Sequence, residues 1–505
     1  MKHSFINLLR EPDSLLFQYE DSTIRFEEPD SREESSTRLE YKVKGNAASI
    51  TVYPCEKPIK RIKLRWRGDM SDVSLVLGDA FERNYSYSFG FNLFGFWHAM
   101  IPELKMPWYF HTYDGEKLNG FGVKTGPDAV CYFQCDERGI TLWLDLRNFR
   151  GGVSLKKPLV AAEVVCREGI QGEDPLTAAQ AFCGMMCEKP VLPKSPIFGV
   201  NNWYWAYGNI NHKSVMGECD QLMDMCSDAV AKPFMIIDDG WQSGRFKNAE
   251  GNVYNGGPWT TSLPTFLAMA DTAADIREKG AIPGLWFRPL LAYGDLPSGI
   301  VSPYQDHPVG TMLDATPPDV INKVFSDVKT MVNWGYGLIK HDFTTYDTIG
   351  LFDTLEDGDA HFYDRSVTNC AMLKNLFKTI QNAAGDAEVI GCNAANHLVA
   401  GIHSSQRSGH DTSGNSFEIT RIAGAASLIR FPQNNTFFSV DPDCAAFTSR
   451  VPIDINLDFL EVCANSGLVT LASVTPGILK GKELSRIRSI YKTASMGDGW
   501  YRRSS

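Results

Sequence analysis

Two hydrophobic rhythms divide the chain. Up to about residue 190, apolar and polar residues alternate in short runs: Leu39-Glu40-Tyr41-Lys42-Val43-Lys44, Arg61-Ile62-Lys63-Leu64-Arg65-Trp66-Arg67, Tyr85-Ser86-Tyr87-Ser88-Phe89 and Ile140-Thr141-Leu142-Trp143-Leu144-Asp145-Leu146. A period of two belongs to a strand with one covered face. Turn residues separate the runs, and no long helical period appears between them. The pattern predicts an antiparallel β-sandwich over residues 1–190. Lys189-Pro190-Val191-Leu192-Pro193-Lys194-Ser195-Pro196 then reads as a Pro-rich linker, 191–196, at a domain boundary.

Beyond residue 196 short apolar runs alternate with stretches of helical period. Strands are predicted near 198–203, 233–238, 282–287, 337–341, 388–392, 402–406, 436–440 and 468–472. Helices are predicted near 213–229, 264–279, 318–333, 367–383, 415–428, 454–466 and 481–494. Eight strands in βα alternation point to a (β/α)8 TIM barrel over 197–505. An open doubly wound sheet is the alternative, but its Gly-rich phosphate turn is missing.

Composition narrows the partners. The 505 residues are 43% hydrophobic and 22% charged, enough for a large core in more than one domain. A formal net charge of -11 disfavours nucleic acid and anionic membranes. Met1 to Arg10 holds no long apolar run, so no secretory signal is expected. No stretch has the length of a membrane-spanning helix. Twelve cysteines without a CxxC read as buried, reduced thiols of a cytoplasmic protein. No metal and no organic cofactor is expected, because no His/Cys/acid cluster with ligand spacing stands out.

If the second half is a barrel, its chemistry lies where strands end. Gly337-Leu338-Ile339-Lys340-His341-Asp342 runs from apolar residues straight into two charges two residues apart, which point the same way on a strand. A lysine beside Asp342 would favour the ionised carboxylate, which suits a nucleophile. Taken alone, the stretch fits a surface ion pair equally well. The first strand end offers Trp203 for stacking on a sugar ring or for plain core packing. The second offers Asp238-Asp239, suited to accepting hydrogen bonds from hydroxyls, with a helix N-cap as the other reading of Asp239. The third gives Trp286 and Arg288, the latter to clamp a carboxylate or pair with an acid. The fifth ends in Cys392-Asn393, the sixth runs from Arg407 to Asp411 and the seventh to Asp441-Pro442-Asp443. Asp342 and Asp411 lie two strands apart, so they can face each other across a sugar, as glycoside hydrolysis by two carboxyls requires. Ser408, Gly409 and Gly414 suggest that the Asp411 loop moves.

These residues resemble the α-galactosidase clan of glycoside hydrolases, closest to bacterial α-galactosidases and raffinose synthase-like proteins. The resemblance rests on Ile236-Ile237-Asp238-Asp239-Gly240-Trp241-Gln242, Gly284-Leu285-Trp286-Phe287, Lys340-x-Asp342, Arg407-x-x-x-Asp411 and Asp441-Pro442-Asp443. It implies retaining cleavage of a terminal α-galactoside, with Asp342 as nucleophile and Asp411 as acid/base. Trp203, Asp238, Asp239, Trp286, Lys340, Cys392, Arg407 and Asp443 would bind the substrate, an oligosaccharide or α-glycoside. Related α-glycosidase activities, galactosyl transfer of the raffinose-synthase type and non-catalytic sugar binding are the alternatives. The sequence departs from the family's pattern at Arg288, where Glu is common, around Cys392-Asn393, and at Cys444 after Asp443. The C-terminal β domain usual in the family is expected to be missing or very small.

Overall fold

A computed structural model of the chain describes residues 5–22, 37–81, 104–247, 253–294, 296–307 and 310–497. The strand expected at Tyr85–Phe89 lies outside the described residues. The other alternating runs of the first half all form strands. They build two antiparallel sheets. One has five strands in the order Ser14–Tyr19, Ile59–Arg67, Gly139–Asp145, Val130–Asp136 and Met106–Pro107. The other has six: Leu39–Lys44, Ala47–Val52, Leu159–Arg167, Leu118–Val123, Tyr109–Tyr113 and Leu75–Gly78.

Alternation decides which faces meet. Ile62, Leu64 and Trp66 are completely buried, and Leu142 pairs with both Leu64 and Phe133. The ring of Phe133 lies 5.4 Å from that of Phe110 in the other sheet, so the apolar faces interlock. The opposite side of the Ile59–Arg67 strand is covered too. Arg65 reaches Asp136 at 2.7 Å and Thr141 at 3.0 Å. One element was not expected: a helix over Pro175–Met186. Asp174 caps it by accepting from the Thr177 N–H at 2.9 Å, and Pro175 opens it. It packs Ala178, Ala179, Phe182, Cys183 and Met186 inward, which is a helical period hidden by its small residues.

The second half forms one nine-stranded sheet in which every pairing is parallel. Across it the order is Ser439–Asp441, Ser405–Arg407, Glu388–Gly391, Leu338–His341, Ile282–Phe287, Phe234–Ile237, Phe198–Asn201, Thr470–Val474 and Cys444–Phe447. The two end strands are consecutive in the chain, parted only by Pro442 and Asp443. The sheet therefore curls until its ends meet. The Val469 N–H donates to the Val440 carbonyl at 3.0 Å across that meeting point. The seventh predicted strand, near 436–440, is Ser439–Asp441, and Cys444–Phe447 just beyond it is a further strand with a different neighbour, not expected from the sequence. Pro442 has no N–H for a ladder, and Asp443 has a left-handed φ of 73°. Among the described residues, six helices of ten or more residues connect the strands, from His212–Met225 to Ile453–Asn465, and another, Gly481–Met496, follows Thr470–Val474.

Hydrogen bonds join the halves. Arg147 donates to the carbonyls of Leu355 at 2.7 Å and Glu356 at 3.0 Å, while its Nη2 holds Asp145 at 2.7 Å. Arg61 grips Asp357 through both Nη atoms at 2.9 and 2.7 Å. Trp108 stacks on His397 with ring centroids 5.4 Å apart. All cysteines except Cys55 are buried, and none is in a disulfide. Among the described residues, no helix is long and apolar enough to cross a membrane.

Candidate active site

The C-terminal ends of the parallel strands converge on a cavity of about 210 Å³. Trp203, Asp238, Asp239, Trp286, Lys340, Arg407, Asp342 and Asp411 line it, with Tyr204, Arg288, His307 and Phe343. Eight of the ten residues singled out in the sequence thus share one lining. Cys392 and Asp443 are not on it. Both lie buried behind Arg407, with Cys392 Sγ 3.5 Å from one Nη and an Asp443 oxygen 2.8 Å from the other.

Asp342 follows the Leu338–His341 strand and is 8% exposed. Three N–H groups converge on its carboxylate: Asn393 Nδ2 at 2.6 Å, the Phe343 backbone at 2.7 Å and Trp286 Nε1 at 3.2 Å. Phe343 and Asn393 both sit at left-handed φ, 60° and 54°, which turns the chain just past each strand so that these donors face the carboxylate. Asn393 therefore belongs to the site. Its signal in the sequence was its place just beyond an apolar strand. Trp286 is itself fixed: Trp259 packs edge-on at 5.8 Å, and its carbonyl accepts from Trp241 Nε1 at 2.9 Å.

The lysine has a different partner from the one expected. Lys340 Nζ donates to Asp238 at 2.7 Å rather than serving Asp342. The two side chains share a face of the strand, but the four-carbon stem carries the lysine's charge across to another strand end. Burial opposes the Lys340 charge. Asp238, with Cys392 and Asp443 adding to its pull, outweighs it and holds the ammonium above the usual lysine range. Asp238 also accepts from Asn201 Nδ2 at 2.6 Å, and its own N–H donates to Asn202 at 2.9 Å.

Asp239 caps no helix. It accepts from Gln242 Nε2 at 2.6 Å across a tight turn. The turn needs Gly240, whose φ is 118° and where a Cβ would collide with the Gly208 carbonyl. Arg288 pairs with an acid, and that acid is Asp347. Nε and Nη2 grip its two oxygens at 2.7 and 2.6 Å.

Asp411 has the open setting. Its side chain is 46% exposed, and Arg407 Nη2 lies 3.3 Å from it. Arg407 is almost completely buried. Burial opposes its charge, and Asp443 more than compensates, holding the guanidinium well above its usual range. The loop beyond Asp411 is clamped rather than loose. Thr412 donates its N–H to Asp443 at 2.9 Å, and Tyr207 accepts from the Gly414 N–H and Asn415 Nδ2, both at 3.1 Å. Gly414 serves contact, not freedom, since a Cβ there would collide with the Tyr204 carbonyl. Tyr204 in turn donates its hydroxyl to Asp443. Tyr204, His307 and Phe343 carry no motif and were not anticipated.

No family model matches the sequence. Solved structures do resemble the fold. An α-galactosidase from Thermus thermophilus, in complex with p-nitrophenyl α-D-galactopyranoside, matches with a TM-score of 0.60 at 16% identity, over 90% of this chain and 91% of that one. An α-galactosidase from Geobacillus stearothermophilus, in complex with 1-deoxygalactonojirimycin, matches with a TM-score of 0.61 at 11% identity, over 91% of this chain and 67% of that one. The galactosidase domain of an α-galactosidase-sucrose kinase matches with a TM-score of 0.59 at 13% identity, over 96% and 71%. At such identities the likeness is one of fold.

Proposed function

We propose that the chain is a retaining glycoside hydrolase acting on terminal α-galactosides. Its curled parallel sheet is read as a (β/α)8 barrel over residues 197–505. The two antiparallel sheets are read as a β-sandwich over 1–190, joined to the barrel by the linker 191–196. The observation that carries the proposal is the pairing of two unlike carboxylates on one cavity. Asp342 is nearly buried and held by three N–H donors, while Asp411 is half exposed beside a cation. Such contrasting settings suit one carboxylate to nucleophilic attack and the other to proton transfer.

In the first step an Asp342 oxygen bonds to the anomeric carbon. The glycosidic C–O bond breaks, and the proton of Asp411 passes to the leaving oxygen. In the second step Asp411 takes a proton from water. The resulting hydroxide bonds to the anomeric carbon, and the Asp342 ester bond breaks. Asp238 and Asp239 accept from sugar hydroxyls, Trp203 and Trp286 form apolar walls, and Lys340 and Arg407 donate. Cys392 and Asp443 act from behind by holding Arg407. The named likenesses support this reading, since those proteins are α-galactosidases, two of them bound to a galactoside and to a galactose-like compound.

The test is Asp342→Gly. Turnover of an aryl α-galactoside is expected to vanish while the protein stays folded. Azide, which fits the space of the missing carboxylate, is expected to restore part of it and to yield the β-azide. Near-normal turnover by Asp342→Gly without azide sinks the assignment.

A further inference from the structure

One basic group on the cavity wall has no part in the proposed reaction. Arg288 stands at the end of the Ile282–Phe287 strand, between the strands that end in Asp239 and Asp342. The residue is 8% exposed, and its guanidinium carbon lies over the Phe343 ring, 4.1 Å from the centroid. Asp347, wholly buried, takes Nε and one N–H of Nη2. A guanidinium has a second bidentate edge, formed by Nη1 and the remaining N–H of Nη2. Nη1 makes no hydrogen bond to any of the described residues, and it is not among the sealed polar atoms. Its residue lines the cavity, so this edge opens there.

We infer that Arg288 forms a subsite for an oxyanion on the sugar, and that the substrate is an acidic glycoside such as a uronide. The inference rests on the glycosidase reading above and names the substrate class of that site. A hydroxyl occupies one N–H of the open edge. A carboxylate, sulfate or phosphate occupies both, with two parallel charge-assisted bonds. Asp347 anchors the fork so that its direction is fixed before binding.

The charged surroundings set the limits. Asp342 and Asp239 are close enough for Arg288 to feel, and both oppose a second anion. His307 is the other basic side chain at this wall. Burial and the Arg288 charge push it down to about 4, so it is neutral at pH 7 and adds no charge. Preference for the anion therefore rests on the bidentate geometry of Arg288. Lysine, a point donor, does not reproduce it.

The experiment compares an aryl α-galactoside with the matching α-galacturonide, which carries a carboxylate in place of the primary alcohol. Sulfate and phosphate esters at that alcohol form two further arms and show which oxyanion is preferred. The full chain is expected to favour at least one acidic arm in kcat/KM by about tenfold, the worth of one charge-assisted hydrogen bond. Arg288→Gln and Arg288→Lys are each expected to erase that ratio. Arg288→Gln leaves Asp347 as an uncompensated buried charge. If that variant does not fold, Arg288→Gln/Asp347→Asn removes both charges and the same ratio is read. Calorimetric binding of free galacturonic acid against galactose separates this inference from the hydrolytic reading. Arg288-dependent binding of the acid without turnover upholds the subsite and fails the hydrolase. Cleavage of the neutral galactoside with no preference for any acidic arm upholds the hydrolase and overturns the subsite. A ratio unchanged by both Arg288 variants also overturns it.

Discussion

Lys340 and Asp238 show how much of the site depends on partners rather than on residue types. Each is almost wholly buried, and the bond between them is 2.7 Å. Removing one member of such a pair strands the other without compensation. Lys340→Met is expected to lower the free energy of unfolding by about 3–5 kcal/mol in a urea titration. Adding Asp238→Asn should recover most of that loss, because the stranded charge goes. If Lys340→Met costs less than the about 1 kcal/mol of an ordinary surface pair, Asn201 and the Asp239 N–H sustain the carboxylate. The residues themselves were legible. A carboxylate directly after an apolar strand has few uses in a core, which marked Asp238, Asp239 and Asp342. Their pairings were not legible. Lys340 was expected beside Asp342 from strand parity alone, and parity says nothing about how far a flexible stem reaches. Tyr204, His307 and Phe343 escaped because backbone angles and loop paths, not local patterns, bring them to the cavity.

At the scale of elements, the rhythm of apolar residues located most of the second half. Predicted strands near 282–287 and 337–341 appear as Ile282–Phe287 and Leu338–His341, and the helix near 318–333 as Pro318–Asn333. Long elements with one covered face carry their own period, so they can be read without knowing the fold. The helix Pro175–Met186 was missed because alanine and glycine blur its apolar stripe. The Asp411 loop was misread in the other direction. Its glycines suggested movement, but they permit close packing, and hydrogen bonds from two sides hold the backbone. Tyr207→Phe tests the clamp, since it deletes only the acceptor for Gly414 and Asn415. Stability is expected to fall by about 0.5–1.5 kcal/mol. Hydrogen exchange should quicken at residues 411–416, and kcat on an aryl α-galactoside should drop more than KM changes. Unchanged exchange there means that Thr412 and Asp443 suffice.

For the whole molecule, the joint between the antiparallel and parallel sheets is polar and buried. Arg147 is its centre, holding Asp145 on its own side and the carbonyls of Leu355 and Glu356 on the other. Burial works against the Asp145 charge, but Arg147 and Arg61 overcome it and hold its pKa at about 2. That is below the unfolded value of about 3.9. Its stabilisation is therefore present above about pH 3.9 and is lost as pH falls toward 2. Arg147→Met is expected to remove about 1.5–3 kcal/mol, since Asp145 loses its charged hydrogen bonds to Arg147 but keeps Arg61 at 3.2 Å. It should also split a single calorimetric transition into two as the sheets uncouple. One transition with an unchanged midpoint would show that the apolar contacts alone bind the halves. None of this joint was visible in the sequence, because its partners are some two hundred residues apart and no local pattern links them. The meeting of the sheet's two ends has a consequence in time. Thr470–Val474 lies between Phe198–Asn201 and Cys444–Phe447, and it follows both of them in the chain. Until it arrives, those two strands each keep a bare edge, of the kind that recruits strands from other chains. A nascent chain stalled before this strand would thus carry the whole cavity lining while still being sticky, and the arrival of Thr470–Val474 decides between a closed sheet and an aggregate.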